Sequence, residues 1–282
     1  MKVDALQIMS DIIPALQEDI GSGDVTANLL PIDLKARAEI ISREPMLLCG
    51  KPWVDAIFNQ MSSSIEVNWQ VDEGDWLNKA RVLCTIEGQA RAILTAERTA
   101  LNFLQTLSAT ATQTHRYVQQ LKGRQTRLLD TRKTLPGLRY AQKYATLCGG
   151  AKNHRMGLYD AFLIKENHIK ACGSIAEAIA SARKTNRTLA VEIEVENLDQ
   201  LEEAFAAHPD RVLLDNFTYE MLVKAVTMNQ PKYCELEASG GITIDNLGDM
   251  AASGVDYISV GSITKSIQAI DLSLLIREIY ES

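Results

Sequence analysis

Charged residues at the ends of short apolar runs are the first candidates for chemistry in this sequence. Arg132 and Lys133 follow one such run, and Lys165 ends the next. Glu194 and Asp215 end two further runs. In a barrel of parallel strands the carboxyl ends open at one mouth, where enzymes of this architecture place their active sites. Each residue alone could be a solvated loop residue, but five such positions at successive strand ends predict a shared site.

An excess of cations surrounds these positions in a chain that is otherwise acidic. Between residues 127 and 170 there are nine Lys or Arg against three Asp or Glu, whereas the whole chain carries a net charge of −7. Two of the four histidines, His154 and His168, lie in the same stretch. Arginine can bind carboxylate or phosphate oxygens in a bidentate manner. The patch therefore suits a small, multiply charged anion better than nucleic acid, unless it is only a solvated surface.

The carboxylates among these cations indicate a metal ion. Glu192 and Glu194 lie two residues apart on a predicted strand, so they share one face, and Glu194 is nearer the mouth. Carboxylates repel phosphate oxygens unless a hard cation lies between them, and Mg²⁺ prefers one or two carboxylates together with substrate phosphates. Glu194 and Asp215 are therefore the predicted Mg²⁺ ligands, directly or indirectly.

Two glycine turns near the end of the chain predict a phosphate site. Ser239-Gly240-Gly241 and Gly261-Ser262 each follow a strand-like run and precede a helical pattern. Backbone N–H groups at such turns attract anions, and the last two loops of a barrel are a frequent phosphate site. The glycines could otherwise serve only to permit tight turns. The segment GSGD at 21–24 lacks the third glycine of a dinucleotide fingerprint, and no Walker A lysine motif occurs.

Alternating strand and helix patterns in the second half of the chain position these residues. Six short apolar runs predict strands at 127–131, 161–165, 189–196, 211–216, 233–241 and 256–262. Apolar residues at helical spacing predict helices at 174–184, 198–208, 218–228 and 244–254. Repeated β-α units specify a parallel sheet with crossover helices, and this many units favour an α/β barrel over an open, doubly wound sheet.

The first hundred residues follow a different pattern. Helices are predicted at 4–18 and 51–62, and strands at 36–44, 64–72 and 80–88. A long amphipathic pattern at 92–122 bridges the two parts. We therefore predict a smaller α+β sandwich domain at 1–101, joined by a C-terminal helix at 268–282, and an α/β barrel domain at 102–267.

Composition restricts the protein class and the compartment. With 282 residues, 46% apolar and 23% charged, the chain has the composition of an ordinary globular protein. No apolar run reaches the roughly 18 residues of a membrane span, and the start lacks the pattern of a secretion signal. Five scattered cysteines without C-x-x-C spacing argue against a disulfide framework or a zinc ribbon and favour a reducing cytoplasm.

Several longer motifs resemble those of one enzyme family. They are EDIGSGDVT (18–26), ERTALNFLQTLS (97–108), DTRKTLPGLR (130–139), KNHRMGL (152–158), LIKENH (163–168), VEIEVEN (191–197), LLDNF (213–217) and ASGGIT (238–243). In order and spacing the chain resembles quinolinate phosphoribosyltransferase, the carboxylating nicotinate-nucleotide pyrophosphorylase of NAD biosynthesis, over nearly its whole length. Two departures touch no charged position: Ala109-Thr110 replaces a frequent Gly-Ile, and Cys148 begins a stretch that is often three glycines.

The resemblance implies an architecture and an assembly. It implies a smaller N-terminal domain beside an incomplete, TIM-like barrel of seven strands, one more than the pattern predicts. It also implies a homodimer, or a larger oligomer, in which Arg98 completes the site of the neighbouring subunit. Without that role Arg98 would be an ordinary residue of a helix surface. Neither a nucleic acid nor a membrane is an expected partner.

The resemblance also implies a role for each matching residue. The two carboxylates of quinolinate would be held by Arg98, Arg132, His154, Arg155 and Lys165. Phosphoribosyl pyrophosphate would bind through its pyrophosphate to Lys133, and through its ribose hydroxyls and Mg²⁺ to Glu194 and Asp215. The 5′-phosphate would be gripped by Ser239, Gly240, Gly241, Gly261 and Ser262. Lys133, Glu194 and Asp215 would be the catalytic residues, and His168 is expected to pack or to support its neighbours.

Four alternatives stay open at this point. A noncarboxylating relative would act on another base, although a monoacid needs fewer cations than this chain offers. A relative associated with molybdate uptake shares the architecture. Lys165 could instead be the Schiff-base lysine of an aldolase-type barrel. A phosphate-ligand sensor would keep the glycine turns but would have no need of paired carboxylates.

Overall fold

The chain divides into two compact units that differ from the predicted domains. A computed structural model describes residues 3–281. Residues 1, 2 and 282, which the predicted domains include, lie outside the described residues. The first unit comprises 1–115, 135–150 and 266–282, and the second comprises 116–134 and 151–265. The predicted boundary at 101 falls inside one continuous helix, which begins in the first unit and ends in the second. Because the helical pattern continues without a break across the boundary, the sequence contains no signal that marks where one unit ends and the other begins.

The helices and strands follow in chain order. The helices are α1 (Ala5–Ile20), α2 (Lys51–Met61), α3 (Ala90–Gln120), α4 (Arg139–Cys148), α5 (Glu166–Cys172), α6 (Ile175–Thr185), α7 (Leu198–Ala207), α8 (Tyr219–Met228), α9 (Leu247–Ala251) and α10 (Ser262–Lys265). The strands are β1 (Lys35–Ser42), β2 (Met46–Leu47), β3 (Glu66–Trp69), β4 (Trp76–Leu77), β5 (Arg81–Gln89), β6 (Arg127–Leu129), β7 (Phe162–Ile164), β8 (Val191–Val195), β9 (Arg211–Asp215), β10 (Glu235–Ser239), β11 (Tyr257–Ser259) and β12 (Leu272–Tyr280). None of the helices within residues 3–281 combines the length and the apolar character needed to cross a membrane.

The first unit is built on a four-stranded antiparallel sheet in the order β12-β1-β5-β3. Alternation along β1 buries Ala36, Ala38 and Ile40 on one face, as expected for a strand with one face on the core. Helix α1 buries Ile8 and Ile12 at the four-residue spacing of one helix face. The predicted α+β character of this part of the chain is confirmed.

The helix predicted at 268–282 is wrong, because Leu272–Tyr280 forms strand β12 instead. Leu272 and Leu274 are buried in alternation, which is the period of a strand. Their segment pairs antiparallel with β1 from Ser42↔Leu272 to Lys35↔Tyr280. The hydrogen bonds of that ladder come from residues far away in the sequence, so local spacing could not show them. The C-terminal segment does join the first unit, as predicted.

The second unit carries all six predicted parallel strands. They form one sheet in the order β6-β11-β10-β9-β8-β7. An isolated parallel bridge between Leu129 and Lys152 adds a seventh position beside β6. Within residues 3–281 no pairing joins β7 to this bridge, so the predicted incomplete barrel is confirmed.

Three helices of the second unit begin at side-chain caps that fix where the preceding loop ends. Ser174, Asn197 and Thr218 each accept a hydrogen bond from a backbone N–H in the first turn of α6, α7 and α8. Between the helices, β8 directs Val191, Ile193 and Val195 into the apolar core. The same alternation sends Glu192 and Glu194 to the opposite face of the strand, into the barrel interior.

Candidate active site

The carboxyl ends of the parallel strands surround a cavity of about 710 Å³, a size typical of small-ligand sites. All of its lining residues belong to the second unit. They are Thr131, Arg132, Lys133, His154, Arg155, Leu163, Lys165, Glu194, Leu213, Asp215, Asn216, Glu237, Ser239, Gly240, Gly241 and Ser259. Every charged strand-end residue predicted for the site is therefore in one cavity, as expected for parallel strands that share one barrel mouth.

The last predicted glycine turn lies behind the cavity wall. Gly261 and Ser262 are not among the lining residues. A Cβ atom at position 261 would come within 2.9 Å of the Cδ atom of Lys133, so glycine there leaves room for the lysine side chain. Thr264 Oγ1 donates a hydrogen bond to the carbonyl oxygen of Lys133 at 2.7 Å. This turn thus positions Lys133, and its contact with a phosphate stays a prediction.

Arg98 lies elsewhere in the chain. It is an exposed residue of α3 in the first unit and does not line the 710 Å³ cavity. A single chain offers no test of whether it reaches the site of a second copy. Its role in substrate binding stays a prediction.

Arg132, Arg155 and Lys165 form a cationic wall of the cavity that is suited to bind an anion. Arg155 donates from Nη1 to the carbonyl oxygen of Ala161 at 3.2 Å, which holds the guanidinium against the wall. Burial lowers the pKa of Arg155, and the like charge of Arg132 lowers it further. Lys165 forms an ion pair with Glu194 across the mouth. An anion between the two guanidinium groups would offset both effects on Arg155.

His168 has a structural role beside this wall. Its Nδ1 accepts a hydrogen bond from the backbone N–H of Lys165 at 3.0 Å, at the start of α5. His168 does not line the 710 Å³ cavity. It therefore fixes the turn that follows Lys165, in agreement with the predicted supporting role.

Glu194 and Asp215 place two carboxylates in the same cavity. Burial raises the pKa of Asp215, the charge of Glu194 raises it further, and Lys165 and Lys133 oppose the shift. Asn216 Nδ2 donates to Asp215 Oδ2 at 2.8 Å and so orients that carboxylate. Oxygen ligands on two neighbouring carboxylates that repel each other suit a hard divalent cation. Glu194 and Asp215 therefore fit the predicted Mg²⁺ site.

The glycine turn that lines the cavity depends on close packing. Gly240 has a φ of +93° and Gly241 a φ of +62°, both in the region that favours glycine. A Cβ atom at position 240 would lie 2.2 Å from Oδ1 of Asn216, whereas one at position 241 would meet nothing within 4 Å. Gly240 thus lets the turn pack against the residue that orients Asp215.

These two glycines give a matched pair for a stability prediction. Alanine at either position incurs about 1–2 kcal/mol for a left-handed backbone, but only Gly240→Ala adds a clash with Asn216. We expect Gly240→Ala to lower the free energy of unfolding, measured by urea titration, clearly more than Gly241→Ala does. Equal losses would contradict the packing described here.

A buried group of titratable side chains lies inside the barrel beneath the cavity. His154 Nε2 lies 2.8 Å from Oε2 of Glu192 and 3.7 Å from Oε2 of Glu237. His154 Nδ1 accepts the backbone N–H of Arg155 at 2.7 Å. Arg211 Nη1 is 3.1 Å from Glu237 Oε2. Both ring nitrogens of His154 thus contact protein groups, so this imidazole is held as part of the cavity wall.

Glu237 was missed by the sequence analysis. Burial raises its pKa to about 7, and the neighbouring Glu192 contributes to the rise, while His154, Ser259 and Arg211 oppose it. The sequence carried one signal for this residue. In the run ELEAS, Glu237 has the same parity as Ser239, so the two residues share the face that looks into the barrel.

The raised pKa of Glu237 predicts a pH dependence of stability. A carboxyl whose pKa is higher in the folded chain stabilises the fold fully below its ordinary value of 4.5, and this stabilisation is lost as pH rises towards about 7. We expect the unfolding free energy of the wild type to fall over that range, and Glu237→Gln to flatten the slope. Urea titrations across the range measure both. Parallel pH profiles for the two proteins would contradict the prediction.

Comparisons with known proteins agree with this architecture. Family models described as the N-terminal and C-terminal domains of quinolinate phosphoribosyl transferase match residues 24–108 and 110–275. Over 258 residues the chain is 39% identical to the probable nicotinate-nucleotide pyrophosphorylase (carboxylating) of Bacillus subtilis, covering 91% of this chain and 89% of that one. It is 35% identical to quinolinate phosphoribosyltransferase (decarboxylating) 1b of Nicotiana tabacum, covering 93% and 80%.

Solved structures extend the comparison to the whole fold. The nicotinate-nucleotide pyrophosphorylase of Francisella tularensis superposes with a TM-score of 0.92 at 45% identity, covering 98% of both chains. NadC of Streptococcus pyogenes gives a TM-score of 0.94 at 35% identity, covering 100% of this chain and 99% of that one. Human nicotinic acid phosphoribosyltransferase, at 13% identity and a TM-score of 0.61, shares the fold alone.

Proposed function

Because the chain belongs to the quinolinate phosphoribosyltransferase family, we propose that it transfers the phosphoribosyl group of phosphoribosyl pyrophosphate to quinolinate. Loss of CO₂ then gives nicotinate mononucleotide, with release of pyrophosphate, as a step of de novo NAD biosynthesis. One observation carries this proposal: a single cavity is lined by four Lys or Arg side chains, by the carboxylates of Glu194 and Asp215 and by the glycine turn at 239–241. These are complementary to a diacid, a metal-bound sugar pyrophosphate and a phosphate.

Quinolinate binds, in this proposal, against the cationic wall. Arg132, Arg155 and Lys165 contact its two carboxylates, and the half-buried guanidinium of Arg155 gains most from an anion because burial and Arg132 disfavour its charge. His154 supports the ligand as a fixed part of the wall, since both of its ring nitrogens already contact protein groups.

Phosphoribosyl pyrophosphate binds across the opposite side. Its 5′-phosphate meets the backbone N–H groups of the turn at Ser239, Gly240 and Gly241, with Gly261 and Ser262 completing the grip from the neighbouring loop. Its ribose hydroxyls face Glu194 and Asp215. Lys133 lies at the pyrophosphate end, where the packing of its backbone and side chain against the last turn fixes its position.

Glu194 and Asp215 would hold Mg²⁺. When bound, Mg²⁺ supplies positive charge that neutralises the pyrophosphate leaving group. The raised pKa of Asp215, caused by burial and by the charge of Glu194, supports this assignment because two neighbouring carboxylates repel each other.

The reaction is a displacement at ribose C1. Lys133 stabilises the departing pyrophosphate, and the carboxylate of Glu194 or Asp215 offsets the positive charge that develops on the sugar. The pyridine nitrogen attacks C1, and the pyridinium that results withdraws electrons from the neighbouring carboxylate, which leaves as CO₂. Only stabilisation that grows towards the transition state accelerates a step, so the charges must act most strongly on the dissociating pyrophosphate.

We further propose a cytoplasmic homodimer in which Arg98 of each chain reaches the cavity of the other. The exposure of Arg98 on α3 supports this role, since a long cationic side chain on a helix surface is available to a second copy. The odd number of scattered cysteines supports a reducing compartment.

Two alternatives have less support. A Schiff-base lysine acts from a desolvated position, but the side chain of Lys165 is 46% exposed and ion-paired with Glu194. A noncarboxylating relative that acts on a monoacid would need fewer cations than this cavity presents.

The direct test supplies pyridine-2,3-dicarboxylate, phosphoribosyl pyrophosphate and Mg²⁺ and detects products by mass. We expect equal amounts of nicotinate mononucleotide, pyrophosphate and CO₂, and no product once Mg²⁺ is chelated. Absence of the mononucleotide with the complete mixture would contradict the proposed function.

A further inference from the structure

Two cysteines of the first unit lie side by side, although they are far apart in the sequence. Cys49 comes just before α2, and Cys148 is the last residue of α4. Their Sγ atoms lie within 4.8 Å of each other, and a carboxylate oxygen of Glu73 lies within the same distance of both. Both cysteines are free thiols. Neither lines the 710 Å³ cavity, so the proposed active site gives them no role.

The side chain of Glu73 brings the two cysteines together. Its Oε1 accepts hydrogen bonds from the N–H of Gly50 at 2.8 Å and from the hydroxyl of Tyr144 at 3.0 Å. Its Oε2 accepts the N–H of Lys51 at 3.1 Å. Because Tyr144 belongs to α4, one carboxylate joins the start of α2 to the helix that ends at Cys148.

The main chain of Cys49 is fixed, whereas the thiol of Cys148 is held only weakly. Ser108 Oγ accepts the N–H of Cys49 at 3.1 Å and donates to its carbonyl oxygen at 3.0 Å. The thiol of Cys148 donates to the carbonyl oxygen of Leu48 at 3.9 Å, and thiols are weak donors. Rotation of the Cys148 side chain therefore brings its sulfur towards Cys49, to the roughly 2.05 Å of a disulfide bond.

The two thiols differ in their access to solvent and in their acidity. Cys49 is fully buried, and Cys148 is half-buried. Burial raises the pKa of the Cys49 thiol, and the neighbouring Cys148 and Glu73 raise it further. Because the thiolate is the reacting form, a dissolved oxidant reacts first with Cys148, and Cys49 reacts only with its neighbour.

We propose that Cys49 and Cys148 form a reversible disulfide when the protein meets a small-molecule disulfide such as oxidised glutathione. The Cys148 sulfur attacks one sulfur of the oxidant, whose S–S bond breaks, and one thiol leaves with the proton of Cys148. The Cys49 sulfur then attacks the Cys148 sulfur, and the second thiol leaves with the proton of Cys49. Two electrons pass from the cysteine pair to the oxidant, and an excess of reduced thiol reverses both exchanges.

The disulfide closes a large loop of the chain. The segment between the two cysteines contains α2, β3, β4, β5, α3 and β6, and the bond holds the end of α4 against the start of α2. Closing a loop of roughly 100 residues stabilises a protein mainly by restricting its unfolded states. In a reducing compartment the pair stays open. The stability of the first unit therefore depends on the oxidation state of the thiols around the protein.

A metal ion is a weaker explanation of the same three side chains. A structural zinc site uses four protein ligands, whereas this group offers three. Both oxygens of Glu73 already accept hydrogen bonds from Gly50, Lys51 and Tyr144. These bonds occupy the carboxylate, so the two sulfur atoms are left as a reactive pair.

Peptide mapping of the oxidised protein tests the proposal. The five cysteines fall on five different tryptic peptides, so each pairing has its own mass. After treatment of the native wild type with oxidised glutathione, we expect the peptides of Cys49 and Cys148 to be linked to each other without glutathione. Dithiothreitol should separate them. The melting temperature of the oxidised protein should exceed that of the reduced protein by about 4 °C or more.

Alanine variants supply matched controls. Cys49→Ala should keep glutathione on Cys148, Cys148→Ala should leave Cys49 reduced, and both should lose the rise in melting temperature. Cys84→Ala removes another buried cysteine and should keep both the link and the rise. A rise of equal size in Cys148→Ala would show that it comes from another cysteine and would overturn the proposal.

The map of the wild type decides even if a variant does not fold. A Cys148 peptide that carries glutathione while Cys49 stays a free thiol would overturn the proposal. If both thiols stay reduced with the oxidant, but Zn²⁺ alone protects them from alkylation, the group is a metal site and the disulfide is wrong. None of these measurements depends on catalysis, so their outcome is independent of the proposed function.

Discussion

Lys133→Ala should lower turnover at saturating substrates by a factor of about 10² to 10³, the usual cost of removing one electrostatic donor from a transition state. Quinolinate affinity should change little, because the diacid binds against Arg132, Arg155 and Lys165 on the other wall. The loss appears in kcat because pyrophosphate gains negative charge only as its bond to C1 breaks. Steady-state kinetics and quinolinate titration by calorimetry measure the two quantities separately.

The control for this prediction is a lysine of the same type outside the cavity. Lys170 is exposed on α5 and does not line the cavity. Lys170→Ala should therefore leave both turnover and quinolinate affinity unchanged. Unchanged turnover in Lys133→Ala would contradict its assignment to the leaving group.

Mixing two inactive variants should restore activity if Arg98 acts across a dimer interface. In a heterodimer of Arg98→Ala and Lys133→Ala chains, one site has an intact cavity and receives the intact Arg98, while the other site lacks both residues. Random pairing makes half of the dimers mixed, so an equal mixture should recover about a quarter of wild-type activity in a symmetric dimer. Co-expression of two differently tagged chains allows the heterodimer to be purified and assayed.

The matched control combines two residues of the same cavity. Arg132→Ala and Lys133→Ala both alter the chain that forms the cavity, so each site of their heterodimer is defective and no activity should return. Recovery with this second pair, or none with the first, would contradict the assignment of Arg98 to the neighbouring subunit.

Local spacing predicted most of the second unit. Buried strands such as VEIEV and RVLLD are short and rich in branched residues, and capped helices follow them. Each of these signals can be read from a few neighbouring residues in the sequence. The rule that parallel strands open at one mouth then brought Lys165, Glu194 and Asp215 together without any structural information. Alternation placed Glu192 and Glu194 on the same face, and the position of Glu194 nearer the strand end correctly predicted which of the two lines the cavity.

Features that depend on distant pairing could not be predicted in this way. Strand β12 is stabilised by its ladder with β1, which lies more than two hundred residues earlier in the chain. The seventh barrel position is a single bridge at Lys152, too short to form a pattern. Glu192 and Glu237 both lie next to His154 because β8 and β10 both flank β9 in the sheet, and only the strand order shows that.

The central claim is that the cationic wall recognises two carboxylates at once. The most direct measurement compares kcat/KM for pyridine-2,3-dicarboxylate with that for pyridine-3-carboxylate, with phosphoribosyl pyrophosphate and Mg²⁺ held constant. Loss of one charge-assisted contact, worth about 1.5–3 kcal/mol, predicts a preference for the diacid of at least about tenfold. Equal values, or a preference for the monoacid, would contradict the claim and favour a noncarboxylating enzyme.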